Sequence, residues 1–174
     1  CFPKDLEAFI RIAEKRGYDF QLLRAVKRIN EDQKKLVVQR VKDQLWNVKG
    51  KTIGILGLAF KPNTDDLRFA PSLDVIEALF RAGAKIRAFD PQAIPAARGI
   101  LNGIGFAKDP YDLAKGSDCL VVLTEWNEFK DLDLKRIKRL MRQPVLVDGR
   151  NLYDPETLRK LGFRYAAIGR GKPE

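Results

Sequence analysis

Apolar and polar positions follow two different periods along this chain, and the change falls near residue 48. In PKDLEAFIRIAEKR, residues 3–16, Leu6, Phe9, Ile10 and Ala13 recur at the spacing of one helical face. Pro3 suits a first helical turn, Asp5 and Glu7 favour its positive end, and Gly17 ends it. Asp19 then predicts a cap for a second helix over about 20–46. Its main stripe is Leu22, Val26, Ile29, Gln33, Val37, Val41 and Leu45, widened by Leu23, Leu36 and Trp46. At ~1.5 Å per residue this helix is about 40 Å long, more than a small domain needs. It bridges two bodies, pairs with a second chain, or packs along one domain.

Beyond NVKGK the pattern becomes one of short apolar runs separated by helical stretches. The runs predict strands at about 52–57, 85–90, 118–124, 144–148 and 163–168, with a weaker one near 105–107. Helices are expected at about 71–82, 94–102, 110–116, 132–142 and 155–161. Strands alternating with helices make βαβ units. The expected fold is therefore α/β: a Rossmann-like parallel sheet with helices on both faces, preceded by a helical segment. The expected boundaries are 1–48 for the helical segment and 49–174 for the sheet domain.

A chain of 174 residues with 45% apolar and 32% charged residues has the composition of a globular protein. No apolar run approaches the ~20 residues of a membrane helix, and no signal-peptide pattern opens the chain. A cytoplasmic protein is expected. The net charge of +10 comes from 33 basic and 23 acidic residues. It suits an anionic partner, but the charges are spread and mixed, which argues against a nucleic-acid stripe. With no histidine, histidine triads and the usual zinc sites are excluded, and no metal site is expected.

Candidate chemistry gathers at strand ends. In GILGLAFKPNTDDLRFAPS, Gly54 and Gly57 have the feel of a dinucleotide loop, yet the third glycine is missing and Phe60 and Lys61 stand in its place. Lys61 and Arg68 follow that strand end and offer charge to a phosphate or a sugar hydroxyl; a solvated surface charge is the bland alternative. Arg150, after Gly149 in LVDGRNLYDP, offers a bidentate fork for phosphate or uracil oxygens. AFDP and TEWNEF also leave strand ends, and their acidic and aromatic residues could line the same crevice; the favoured reading is Asp90-Pro91 as a turn and Trp126 as a packing residue. Cys119 lies in an apolar strand and reads as a small core residue. Cys1 precedes a helix N-terminus beside Lys4, a setting that favours the thiolate, with Asp5 one turn on to hold water or a proton. Cys1 is either a nucleophile or an ordinary terminal residue.

CFPKD, a long helix, then GLAFKPNTDDLRFAPS, AFDP, TEWNEF, DGRNLYDP and GFRYAAIGR, in that order, resemble the C-terminal portion of the UDP-glucose 6-dehydrogenases, in the UDP-glucose/GDP-mannose dehydrogenase family. The resemblance covers nearly the whole chain. It implies oxidation of UDP-glucose to UDP-glucuronate with two NAD, through a cysteine thiohemiacetal and thioester. It makes Cys1 the nucleophile and Asp5 the residue that handles water or protons. Phe60, Lys61 and Arg150 would bind the UDP part of the substrate, and Lys4 and Arg68 would lie towards NAD. The helix at 20–46 would form the core of a homodimer. The family's NAD-binding domain, which would precede Cys1, is absent, so this chain is expected to be a catalytically incomplete part that keeps the nucleotide-binding face. The alternatives are a GDP-mannose or other nucleotide-sugar dehydrogenase, and a basic Rossmann-like binding module without chemistry.

Overall fold

Short, wholly apolar strands can be buried on both faces only inside a parallel sheet, and the computed structural model, which describes residues 2–170, shows that arrangement. Thr52–Leu56 (β1), Lys85–Phe89 (β2), Gly105–Phe106 (β3), Cys119–Val122 (β4), Val145–Asp148 (β5) and Arg164–Ala167 (β6) form one parallel sheet in the order β3-β2-β1-β4-β5-β6. Every residue of β4 and β5 is buried. Ile55 sits in register with Ala88 on one side and Val121 on the other.

The connecting helices are Pro71–Arg81 (α3), Ile94–Arg98 (α4), Pro110–Ala114 (α5), Asn127–Lys130 (α6), Leu134–Leu140 (α7) and Pro155–Lys160 (α8). Their starts are written locally. α3, α4, α5 and α8 carry proline in the first turn. The carboxylates of Asp109, Asp133 and Asp154 accept from Asp112 N, Arg136 N and Thr157 N, capping α5, α7 and α8. Two differences from the sequence pattern stand out. The helix expected over 94–102 stops at Arg98, where Gly99 and the positive-φ Gly103 turn the chain. The short α6 had no periodic signal to announce it.

Phe2–Lys15 (α1) and Gln21–Leu45 (α2) precede the sheet. Gly17, at φ 73°, ends α1 in a Schellman motif: Tyr18 N donates to Ala13 O and Gly17 N to Glu14 O, both at 2.9 Å. Asp19, expected as a cap, instead gives its carboxylate to Arg24 Nε at 2.8 Å. Arg24 also pairs with Glu14, and Lys27 with Glu7 at 2.8 Å, tying the two helices.

The chain divides into two compact units between Leu36 and Val37, inside α2. In the second unit Val37, Val38, Val41 and Leu45 are buried in the core of the sheet. In the first unit Leu22 and Ile29, expected on the same stripe, are 68% and 57% exposed. Trp46 does not widen the stripe: it leaves the helix at φ 61° and is 97% exposed. Among the described residues no helix is long and apolar enough to cross a membrane, and no group of three or more ligating side chains could hold a metal ion.

Candidate functional site

The strand order reverses between β1 and β4, and the loops leaving their carboxyl ends diverge there to form the crevice in which doubly wound sheets bind ligands. Here the loop after β1 does not turn at once into a helix. It runs from Gly57 to Ala70 before α3 begins, so no helix N-terminus follows the strand as it does in a dinucleotide turn.

The first four residues of that loop have their backbone N–H groups spoken for. Gly57 N donates to Phe89 O at 2.9 Å. Leu58 N and Ala59 N donate to Asp90 Oδ2 at 2.7 and 3.0 Å. The Ser72 hydroxyl donates to Leu58 O, and Thr124 Oγ1 to Ala59 O at 2.6 Å. Phe60 N donates to Asp66 O at 2.9 Å. Gly57 lies at φ 91°, and a Cβ there would stand 2.6 Å from the backbone N of Thr124. Glycine lets the β1 loop pass directly against β4's end.

This fixed loop carries Phe60, half-buried, and Lys61, exposed. Arg150 arrives from the end of β5. Its Nε donates to Glu125 Oε2 at 2.6 Å, and its Nη2 lies 3.5 Å from Phe60 O. Of the five N–H donors of the guanidinium, only the one on Nε has a short partner among the described residues. Most of the fork remains for a ligand. The structure thus brings Arg150 to the backbone of Phe60, beside Lys61, at the carboxyl end of the sheet, with Glu125 holding Arg150.

Arg68 lies further along the same loop. Its Nε and Nη2 both reach Asp66, the latter at 2.8 Å, and its side chain is 84% exposed. That pairing lowers the Asp66 carboxyl to about 2. Lys4 and Asp5 stand exposed on the first turn of α1, in the other unit. Cys1 lies outside the described residues. Cys119 is free and fully buried, and burial pushes its thiol far up, as a core residue requires.

Residues that the sequence pattern leaves as turn, packing or plain strand hold the site in shape. Asp90 is 1% exposed and accepts five N–H donors, among them the buried Trp126 indole at 3.1 Å. Asp148, fully buried, accepts from Arg150 N and Tyr153 N at 3.0 Å each, with the Tyr165 hydroxyl 2.9 Å away. Arg170 Nη1 donates to Tyr153 O at 2.9 Å, closing the loop after β5 from the far end of the chain. The usable signal was an aspartate as the last polar residue of an apolar strand, in AFDP and in VLVDG.

A parallel sheet ordered in this way, with a switch point between β1 and β4, defines a Rossmann-like α/β domain. The chain belongs to the UDP-glucose/GDP-mannose dehydrogenase family: the profile of that family's UDP binding domain matches residues 54–155. It is 44% identical over 171 residues to the UDP-glucose 6-dehydrogenase TuaD of Bacillus subtilis, covering 98% of this chain and 37% of that protein. The UDP-glucose 6-dehydrogenase of Pseudomonas aeruginosa is 46% identical over 184 residues, covering 98% of this chain and 39% of its own length. A solved structure of a UDP-glucose dehydrogenase from the hyperthermophilic archaeon Pyrobaculum islandicum superposes with a TM-score of 0.82 at 35% identity, over 95% of this chain and 36% of that one. The chain thus spans less than two fifths of the length of these relatives.

Proposed function

We propose that this chain is the UDP-binding part of a UDP-glucose 6-dehydrogenase. The observation that carries the reading is that Arg150, from the end of β5, reaches the backbone of Phe60, next to Lys61, on a loop whose preceding amides are held by Asp90. Lys61 supplies a point charge and Arg150 a planar fork, and together they suit the diphosphate and carbonyl oxygens of a uridine diphosphate. Phe60 precedes Lys61 on the same loop.

The crevice does not fit a dinucleotide. The loop lacks the third glycine and the following helix, and the carboxylate at the end of β2 is fully engaged by N–H groups. NAD therefore belongs elsewhere in the whole protein, and Lys4 and Arg68 are the residues of this chain assigned to face it. In the same reading Cys1 is the nucleophile. Its thiolate would add to the aldehyde carbon as a thiohemiacetal, loss of hydride from that carbon to NAD would give the thioester, and water handled by Asp5 would release the acid and the free thiolate. The dehydrogenase activity belongs to the whole protein, with UDP-glucose as substrate and UDP-glucuronate as product.

Calorimetric titration tests the nucleotide assignment. UDP is expected to bind the chain, GDP not, and Lys61→Ala to remove most of the heat. Binding of GDP in preference to UDP would move the chain to the GDP-mannose branch. Equal, steeply salt-dependent binding of any polyanion would make it a basic module without nucleotide selectivity.

We also propose a homodimer formed through α2, supported by Leu22 and Ile29, which stand exposed on its first half. Sedimentation velocity should show a dimer that Ile29→Glu converts to monomer. A wild-type chain that sediments as a monomer at all concentrations would refute this.

A further inference from the structure

Asp90 occupies the place, at the end of β2, where dinucleotide-binding sheets offer a carboxylate to a ribose. Here both oxygens are turned inward. Oδ2 accepts from Leu58 N, Ala59 N and the Trp126 indole at 2.7, 3.0 and 3.1 Å. Oδ1 accepts from Gln92 N and Ala93 N at 2.9 and 2.8 Å. A carboxylate has about four lone-pair sites, so five donors leave no room for a ligand hydroxyl. The donors come from three separate strand ends: those of β1, β2 and β4.

We propose that Asp90 is a positioning residue. It ties the loops after β1, β2 and β4 into one piece and so fixes the stretch that presents Phe60 and Lys61. It touches no ligand and acts through that loop. This rests on the UDP-binding reading above. The reason to single it out is directional: without Asp90 the Leu58 and Ala59 amides lose their buried acceptor just before the residues that meet the nucleotide. An asparagine cannot replace it, because its amide would set an N–H₂ donor against one of the two donor groups.

The test combines amide exchange with UDP titration on the full chain. In Asp90→Asn the amides of Leu58 and Ala59 are expected to exchange faster by about tenfold or more, while those of β5 keep their protection. UDP affinity is expected to fall by about tenfold or more. Because Asp90 acts through the loop, Lys61→Ala should cost less in the Asp90→Asn background than in the wild type, a coupling that a general loss of stability does not produce. Trp126→Phe removes one donor and keeps a smaller aromatic ring; it should weaken UDP binding by a few-fold and serves if Asp90→Asn fails to fold. Unchanged exchange at Leu58 and Ala59, or strictly additive effects of the two substitutions, would overturn the proposal. If the folded wild-type chain takes up no UDP, the functional reading falls on its own. The amide exchange then still decides whether Asp90 fixes the loop.

Discussion

Gly57→Ala is expected to destabilise the sheet unit by about 3–4 kcal/mol and to abolish nucleotide binding. Two costs combine. The backbone at φ 91° is one that an L-residue with a Cβ adopts only at ~1–2 kcal/mol. The new methyl would also lie 2.5 Å from Thr124 Cβ and 2.6 Å from Thr124 N. A main-chain neighbour cannot swing aside, so β1 and β4 would be forced apart, at a further ~1–3 kcal/mol. Gly50→Ala is the internal control. Gly50 has φ 76°, yet its Cβ would meet nothing within 4 Å. It should lose only the backbone component, about 1 kcal/mol. Urea denaturation of the two variants separates the costs, and equal losses would show that close approach at Thr124 contributes nothing.

Asp148→Ala is expected to cost about 3 kcal/mol, since it leaves the buried Tyr153 N without its acceptor, takes from the Tyr165 hydroxyl one of its two acceptors and frees Arg150 N. It should weaken UDP binding as well, because Arg150 would no longer be anchored at its own amide. The tyrosines give a second readout. Burial, and after it the Asp148 charge, raise the ionisation of Tyr153 and Tyr165 above the ordinary 10.0. The unfolded chain therefore loses its tyrosine protons first. Stability should be intact below pH 10 and fall as the pH climbs through the raised values. In Asp148→Ala the fall should be shallower, because one cause of the shift is gone. A variant with wild-type stability and an unchanged alkaline limb would remove Asp148 from this role.

The sheet was legible because its strands are apolar runs of four or five residues, such as CLVV and VLVD, which have no other stable home. The places of Lys61 and Arg150 in the chain were legible because each follows an apolar run within a few residues, in the loop that leaves a strand's carboxyl end. Asp90, Trp126 and Asp148 were not: three of the five donors to Asp90 lie 31 to 36 residues away, on the ends of two other strands. Periodicity describes neighbours on one element, and a buried carboxylate that collects amides from several loops leaves no periodic trace. The same blindness affected α2. Leu22, Ile29, Val37 and Val41 form one stripe by spacing, but spacing does not say where the surface they pack against ends. In this chain it ends at Val37.

The position of that division inside α2 bears on how the protein may be cut. A piece trimmed to the residues matched by the family profile, 54–155, would begin within β1 and lose α8 and β6, together with Val37, Val38, Val41 and Leu45. Gly149, beside Arg150, would also lose the side chain it faces, since a Cβ there would lie 3.6 Å from Val37 Cγ2. The last turns of the long helix thus serve the sheet as an outer wall, and a trimmed piece should keep Val37 through Leu45.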